Sequence, residues 1–172
     1  HIGNHKLHGG QDEAGINKRC RATLDALTMA MAAGIAYADC VAILGDVFDT
    51  DKPSPQILAE TARRLRPTGP NAAFEVTALL GNHDMRSDSK GDHALGPLGR
   101  AGIKVIDEIH FDEDNGVLWV PFAGKGTKDI LEVAIDQHRP RVVFGHFGIA
   151  DDKTAPWLLE ADDAVPVRFI AD

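Results

Sequence analysis

Three apolar runs in this chain each end in a glycine followed by side chains that can hold a metal ion. They are "VAILGD", closing on Asp46, "TALLGNHD", closing on Asn82, His83 and Asp84, and "VVFGH", closing on His146. A carboxylate can bridge two cations, an amide oxygen is a neutral ligand, and imidazole favours Zn, Fe, Mn or Ni over Ca. Mixed Asp, Asn and His ligands suit a two-metal hydrolytic centre, with ions roughly 3.5 to 4 Å apart, that orients a phosphate and activates water. Thiolate is not needed for that chemistry.

The elements that must position these groups are an alternation of strands and helices. In open α/β sheets, sites gather beyond the carboxyl ends of the strands, where the chain turns, and glycine lets the backbone turn tightly there. Residues 1 to 12 read as a loop, and Ile16, Cys20, Leu24, Leu27 and Met31 then step by three or four, predicting a helix near residues 14 to 36. The apolar run at residues 40 to 44 predicts a buried strand. Ser54 as N-cap and Pro55 at the first helical position open a second helix, with Ile57, Leu58, Ala62 and Leu65 on one side, ending near Pro67. Phe74 to Leu80 is the next strand, "HALGPLGRAG" a short or broken helix, "IKVI" a strand, and "DEDNG" a turn into "VLWVP". Thr127 is placed to cap a helix through His138, and "RVVFG" gives one more buried strand. These elements make one domain, residues 1–172, with no repeat or linker.

Composition narrows the functional classes. With 172 residues and 44% hydrophobic content, the chain can bury a sizeable core. No stretch approaches the roughly 20 apolar residues of a membrane span, and nothing resembles a signal peptide, so a cytoplasmic protein with no membrane partner is expected. Cys20 and Cys40 lie in apolar surroundings without CxxC spacing and read as buried thiols. A net charge of -8 argues against a broadly basic nucleic-acid surface. It leaves a phosphate substrate open, because bound divalent cations can dominate their local field. Arg63, Arg64 and Arg66 could touch a polyanion, although a solvated helix face is the better reading.

"GDVFD", "GNHD" and "GH", in this order, resemble the calcineurin-like metallophosphoesterase superfamily, whose pattern runs Asp-x-His, Gly-Asp-x-x-Asp, Gly-Asn-His-Asp/Glu, Gly-His, Gly-His-x-His. "GDVFDTDKPSP", with "GDHAL" soon after "GNHD", is similar more narrowly to the DNA double-strand-break repair exonucleases of bacteria and phages. The resemblance implies a layered α/β sandwich, with mixed β-sheets flanked by helices, and two divalent ions, Mn first and Fe, Zn, Ni or Mg as alternatives. It places His1 as a ligand of the first metal, Asp46 as the bridging carboxylate, and Asn82 and His146 as ligands of the second. Asp49 would support the ligand loops from behind. His83 would steady the transition state or protonate the leaving oxygen without binding metal, and Asp84 would orient it. DNA would be the substrate, and an ATPase subunit or a second copy the partner. Two other readings stand beside this one: a phosphodiesterase or phosphatase for a small substrate, and a binding scaffold that kept the fold and lost catalysis.

Departures from the pattern fall at the chain ends. The sequence opens on His1 without the preceding Asp, and no Gly-His-x-His follows His146 before "VPVRFIAD". The expectation is a domain truncated at both ends, with a partial ligand set and weak metal affinity; true loss of metal binding is the alternative. Other histidines have plainer readings: His5 and His8 as exposed loop residues in preference to cleft residues, His93 at a helix start capped by Asp92, His138 at a helix end, and His110 on a strand or surface. "GKGT" lacks the GxxxxGK[ST] order of a phosphate loop and is set aside.

Overall fold

The computed structural model describes residues 1–3, 10–87, 91–124, 126–150 and 164–166. His5 and His8 lie outside them. The chain divides into two compact units, His1–Val105 and Ile106–Asp172.

In the first unit, α1 (Lys18–Tyr37), β1 (Cys40–Leu44), α2 (Pro55–Leu65), β2 (Glu75–Leu79) and the short α3 (Gly96–Arg100) follow one another, and β3 (Lys104–Ile106) ends it at the boundary. The sheet order is β1-β2-β3, and β1 runs parallel to β2 from Cys40 opposite Glu75 to Leu44 opposite Leu79. Leu24 and Met31 of α1, Ile57 and Leu65 of α2, Val76 and Ala78 of β2, and Leu98 of α3 share one core. Each large aliphatic side chain buried there contributes about 1.5–3 kcal/mol.

Local signals set the helix starts. Asn17 caps α1 by accepting the Arg19 N–H at 2.9 Å, and just before it Asp12 Oδ1 accepts the Ile16 N–H at 2.9 Å. The helix therefore begins after the predicted residue 14, and Ile16 is buried ahead of it. Ser54 caps α2 as predicted, its hydroxyl accepting the Ile57 N–H at 3.4 Å with Pro55 next in line. By contrast Asp92 is not the cap of α3, which starts at Gly96 with Leu95 at the cap position, and Asp92 Oδ2 accepts from Ser87 at 3.2 Å. β1 is an edge strand and only partly buried, which is why Cys40, unlike Cys20, is exposed. The expectation of two buried thiols is corrected by that position.

Arg63 and Arg66 are exposed, as a solvated helix face predicts, whereas Arg64 is drawn into an ion-pair network between α1 and α2. Arg64 is almost buried, pairing with Glu60 on its own helix and reaching Asp25 at 3.3 Å. Arg21 bonds Asp12 at 2.7 Å and Glu60 at 3.1 Å. The Arg64 hydrogen bond, followed by Arg63, pulls the Glu60 carboxyl from the ordinary 4.5 down to about 2. A carboxyl whose pKa is lowered on folding adds stability that is complete above its unfolded value and is lost as pH falls through the folded one. Glu60→Gln is therefore expected to lower stability on the order of 1 kcal/mol at neutral pH, after allowance for solvent screening. The deficit against wild type should shrink between about pH 4.5 and 2. Urea titrations of both proteins across that window test it, and a deficit that does not change with pH would refute the ion-pair account.

The second unit contains β4 (His110–Asp112), β5 (Val117–Val120), α4 (Thr127–His138), β6 (Val142–Gly145), β7 (Gly148–Ala150) and β8 (Ala164–Pro166). Its larger sheet, ordered β4-β5-β6, pairs β4 antiparallel and β6 parallel to β5, and β7 pairs parallel with β8. Leu118, Val120, Leu131, Ala134 and Val165 form its core. β6 is an edge strand with Val142 exposed, not the buried strand predicted. Thr127 is the first helical residue of α4 and not its cap. Gly126, at φ 97, takes the cap position, and the Thr127 hydroxyl donates to Gly124 O at 2.8 Å. His138 closes the helix as expected and stacks on Phe111 at 4.6 Å. The mixed α/β architecture, small sheets with helices packed on them, is the one predicted. Among the described residues, no helix is long and apolar enough to cross a membrane.

Candidate metal centre

Parallel pairing of β1 with β2 brings their carboxyl ends together, Leu44 opposite Leu79, so the turns that follow emerge side by side. After β1 the chain passes through two left-handed residues, Gly45 at φ 84 and Asp46 at φ 50. For a residue with a Cβ that conformation costs about 1–2 kcal/mol. After β2, Gly81 packs directly on Asp46, and a Cβ there would overlap the Asp46 backbone nitrogen and Oδ1. A third segment joins them through a parallel bridge from Ile2 to Phe48. Ile2 N–H donates to Val47 O at 2.8 Å and Asp49 N–H donates to Ile2 O at 3.1 Å, which sets His1 beside Asp46.

The result is a cluster of two imidazoles and one carboxylate. His1 Nε2 stands 3.2 Å from Asp46 Oδ2, and His83 Nε2 stands 4.0 Å from the same oxygen. The two rings are 4.8 Å apart, centre to centre. Asp46 Oδ1 accepts the His83 backbone N–H at 3.0 Å. The Asp46 side chain is only 10% exposed, whereas His1 and His83 are 45% and 46% exposed. Donor atoms of all three lie within 4.8 Å of one another, a spacing that fits one divalent ion. Nitrogen with carboxylate oxygen suits Mn, Fe, Zn or Ni.

Asn82 is exposed on the same turn, next to His83, and its backbone carbonyl accepts the Met85 N–H at 3.4 Å. His146 stands in the second unit just after β6, where the sequence places it. Its N–H donates to Val120 O at 3.0 Å, and its ring meets Phe122 edge-on at 6.4 Å. Asp49 is half-buried against the Gly3 backbone, and its Oδ1 is buried with no hydrogen-bond partner among the described residues.

Asp84 is placed otherwise than the sequence suggests. It is fully buried, and its two oxygens accept the backbone N–H groups of Phe48 at 2.9 Å, Gly81 at 3.1 Å and Val47 at 3.2 Å. None of its hydrogen bonds goes to the His83 ring. Burial pushes its pKa up, against the pull of these N–H groups, and neighbouring Asp46 adds to the rise. Sequence reasoning attached Asp84 to the residue beside it, because a buried carboxylate bonded to distant backbone leaves no spacing to read.

The profile of the calcineurin-like phosphoesterase family matches residues 5–168, nearly the whole chain. The chain belongs to this family. No curated protein matches it. A calcineurin-like phosphoesterase hydrolyses phosphoesters with divalent metal ions, and the His1, Asp46 and His83 cluster is chemistry suited to such ions. Membership agrees with the motif order "GDVFD", "GNHD", "GH", two parts of which follow the paired strands β1 and β2.

Proposed function

We propose that this phosphoesterase cleaves phosphodiester bonds in DNA, as an exonuclease or endonuclease of the repair and recombination type. The observation that carries the reading is the openness of the cluster: both imidazoles are nearly half exposed beside a sheltered carboxylate, which suits a polymer better than an enclosed small molecule. The stretches "GDVFDTDKPSP" and "GDHAL" support it through their resemblance to repair exonucleases. An ATPase subunit or a second copy of the chain, and a cytoplasmic setting, go with the same reading.

His1, Asp46 and Asn82 are the residues of the first unit that would hold metal, Mn by preference. Bound cations supply charge neutralisation at the phosphate and lower the pKa of water. Asp46 presents Oδ2 to the cluster while its Oδ1 is held by the His83 N–H. His83 would give a proton to the leaving oxygen or hydrogen-bond a phosphoryl oxygen.

Release of nucleotides from linear double-stranded DNA by the full-length protein in Mn, compared with hydrolysis of a cyclic nucleotide and of a phosphomonoester, tests the proposal. DNA is expected to be the preferred substrate by roughly tenfold or more in kcat/KM. Turnover of the small esters with intact DNA would assign the protein to the small-substrate phosphodiesterases or phosphatases. Mn binding without turnover of any of them would make it a scaffold.

A further inference from the structure

Asp46 and Asp84 exchange hydrogen bonds across the two turns. Asp46 Oδ1 accepts an N–H from the "GNHD" turn, that of His83 at 3.0 Å. In return, Asp84 accepts two N–H groups from the "GDVFD" turn, Phe48 at 2.9 Å and Val47 at 3.2 Å, and closes its own turn on Gly81 at 3.1 Å. Val47 and Phe48 directly follow Asp46, whose φ of 50 is the strained point of that turn. Bonds that fix their N–H groups therefore fix the exit from the left-handed residue. Asp84 is itself anchored from a third side, its carbonyl accepting the Ala94 N–H at 2.8 Å. A carboxylate with about four acceptor positions can take three donors at once.

We propose that Asp84 is a positioning residue, whose buried carboxylate staples the Asp46 turn to the Gly81 turn and so sets where Asp46 Oδ2 stands against His1 and His83. The inference rests on the reading of Asp46 as a metal ligand. It gives Asp84 a partner in the backbone and none in the His83 imidazole. However an asparagine were turned at this position, its NH2 would meet at least one backbone N–H, and Asp46 would be freed to leave its conformation.

The test is Asp84→Asn in the full-length protein, with Mn titrated by calorimetry well below the melting temperature, where circular dichroism shows the variant folded. The Mn dissociation constant should rise by roughly 10- to 100-fold, the usual loss when a group supporting a ligand is removed. A carboxylate that served only the fold would lower the melting temperature and leave that constant unchanged, and this result would overturn the proposal. Amide exchange on metal-free wild type gives a second measure, independent of the variant's folding. The Val47, Phe48 and Gly81 amides should be strongly protected, and exchange at the rate of open loops would overturn the staple. Failure of wild type to bind Mn would defeat the metal-centre reading instead, and the exchange measurement would still judge the staple.

Discussion

Asp46→Ala is expected to remove bound metal and phosphoester hydrolysis together. Asp46 is the most sheltered member of the cluster and, among the described residues, the carboxylate it contains, with His1 at 3.2 Å and His83 at 4.0 Å. If it bridges two ions, its loss should weaken both, whereas Asn82→Ala should weaken one. The expected fall in kcat/KM is at least about 10³-fold, equivalent to roughly 4 kcal/mol of transition-state stabilisation. Alanine also deletes the acceptor for the His83 N–H, so the variant must first be shown to fold, by circular dichroism and by the protection of the β1 and β2 amides. Calorimetric titration with Mn then reads the metal directly. Two ions bound at wild-type affinity in the folded variant would end the bridging assignment.

His83→Ala should separate catalysis from metal binding. Its side chain is nearly half exposed, with Nε2 4.0 Å from Asp46 Oδ2. The backbone N–H that holds Asp46 Oδ1 survives the substitution, so the turn should keep its form. The expected result is metal content close to wild type with turnover lower by about 10²- to 10⁴-fold, or roughly 3 to 5 kcal/mol of barrier. A nitrophenyl ester, whose leaving group needs no proton, should recover much of that loss if His83 protonates the leaving oxygen. Little recovery would mean that it steadies the phosphoryl oxygens. Elemental analysis alongside turnover on both substrates decides the matter. Metal lost with the imidazole would make His83 a ligand, which its distance from Asp46 allows, and turnover equal to wild type would leave the ring without a catalytic part.

What the sequence disclosed, it disclosed through local rules. Ser54 and Pro55 mark the start of α2 because a cap acts within one turn of its helix. The glycine-closed apolar runs mark β1 and β2 and the turns carrying Asp46 and His83. Sheet order is not local: residues 40 to 44 look as apolar as any central strand, yet β1 lies at an edge and Cys40 faces outward. The Ile2 bridge to Phe48 that brings His1 to Asp46 spans nearly fifty positions and has no periodicity to betray it. Short strands such as β7 pass unnoticed for want of a pattern long enough to count. The hydrogen bonds of Asp84 were not legible at all, because its partners Val47 and Phe48 lie 37 and 36 positions away.

Asp46 and His83 sit just past the ends of β1 and β2, with α2 in the connection between them. Both belong to one strand-helix-strand unit, so a single loop-closing event during folding delivers them to each other. The entropy of closing such a loop grows only slowly with its length. α2 and its two flanking strands thus hold two of the three cluster members in one contiguous stretch of chain, apart from the Ile2 bridge that brings in His1. A cation binding there would meet backbone already ordered, and would have only side-chain rotamers left to fix, which lowers the cost of binding.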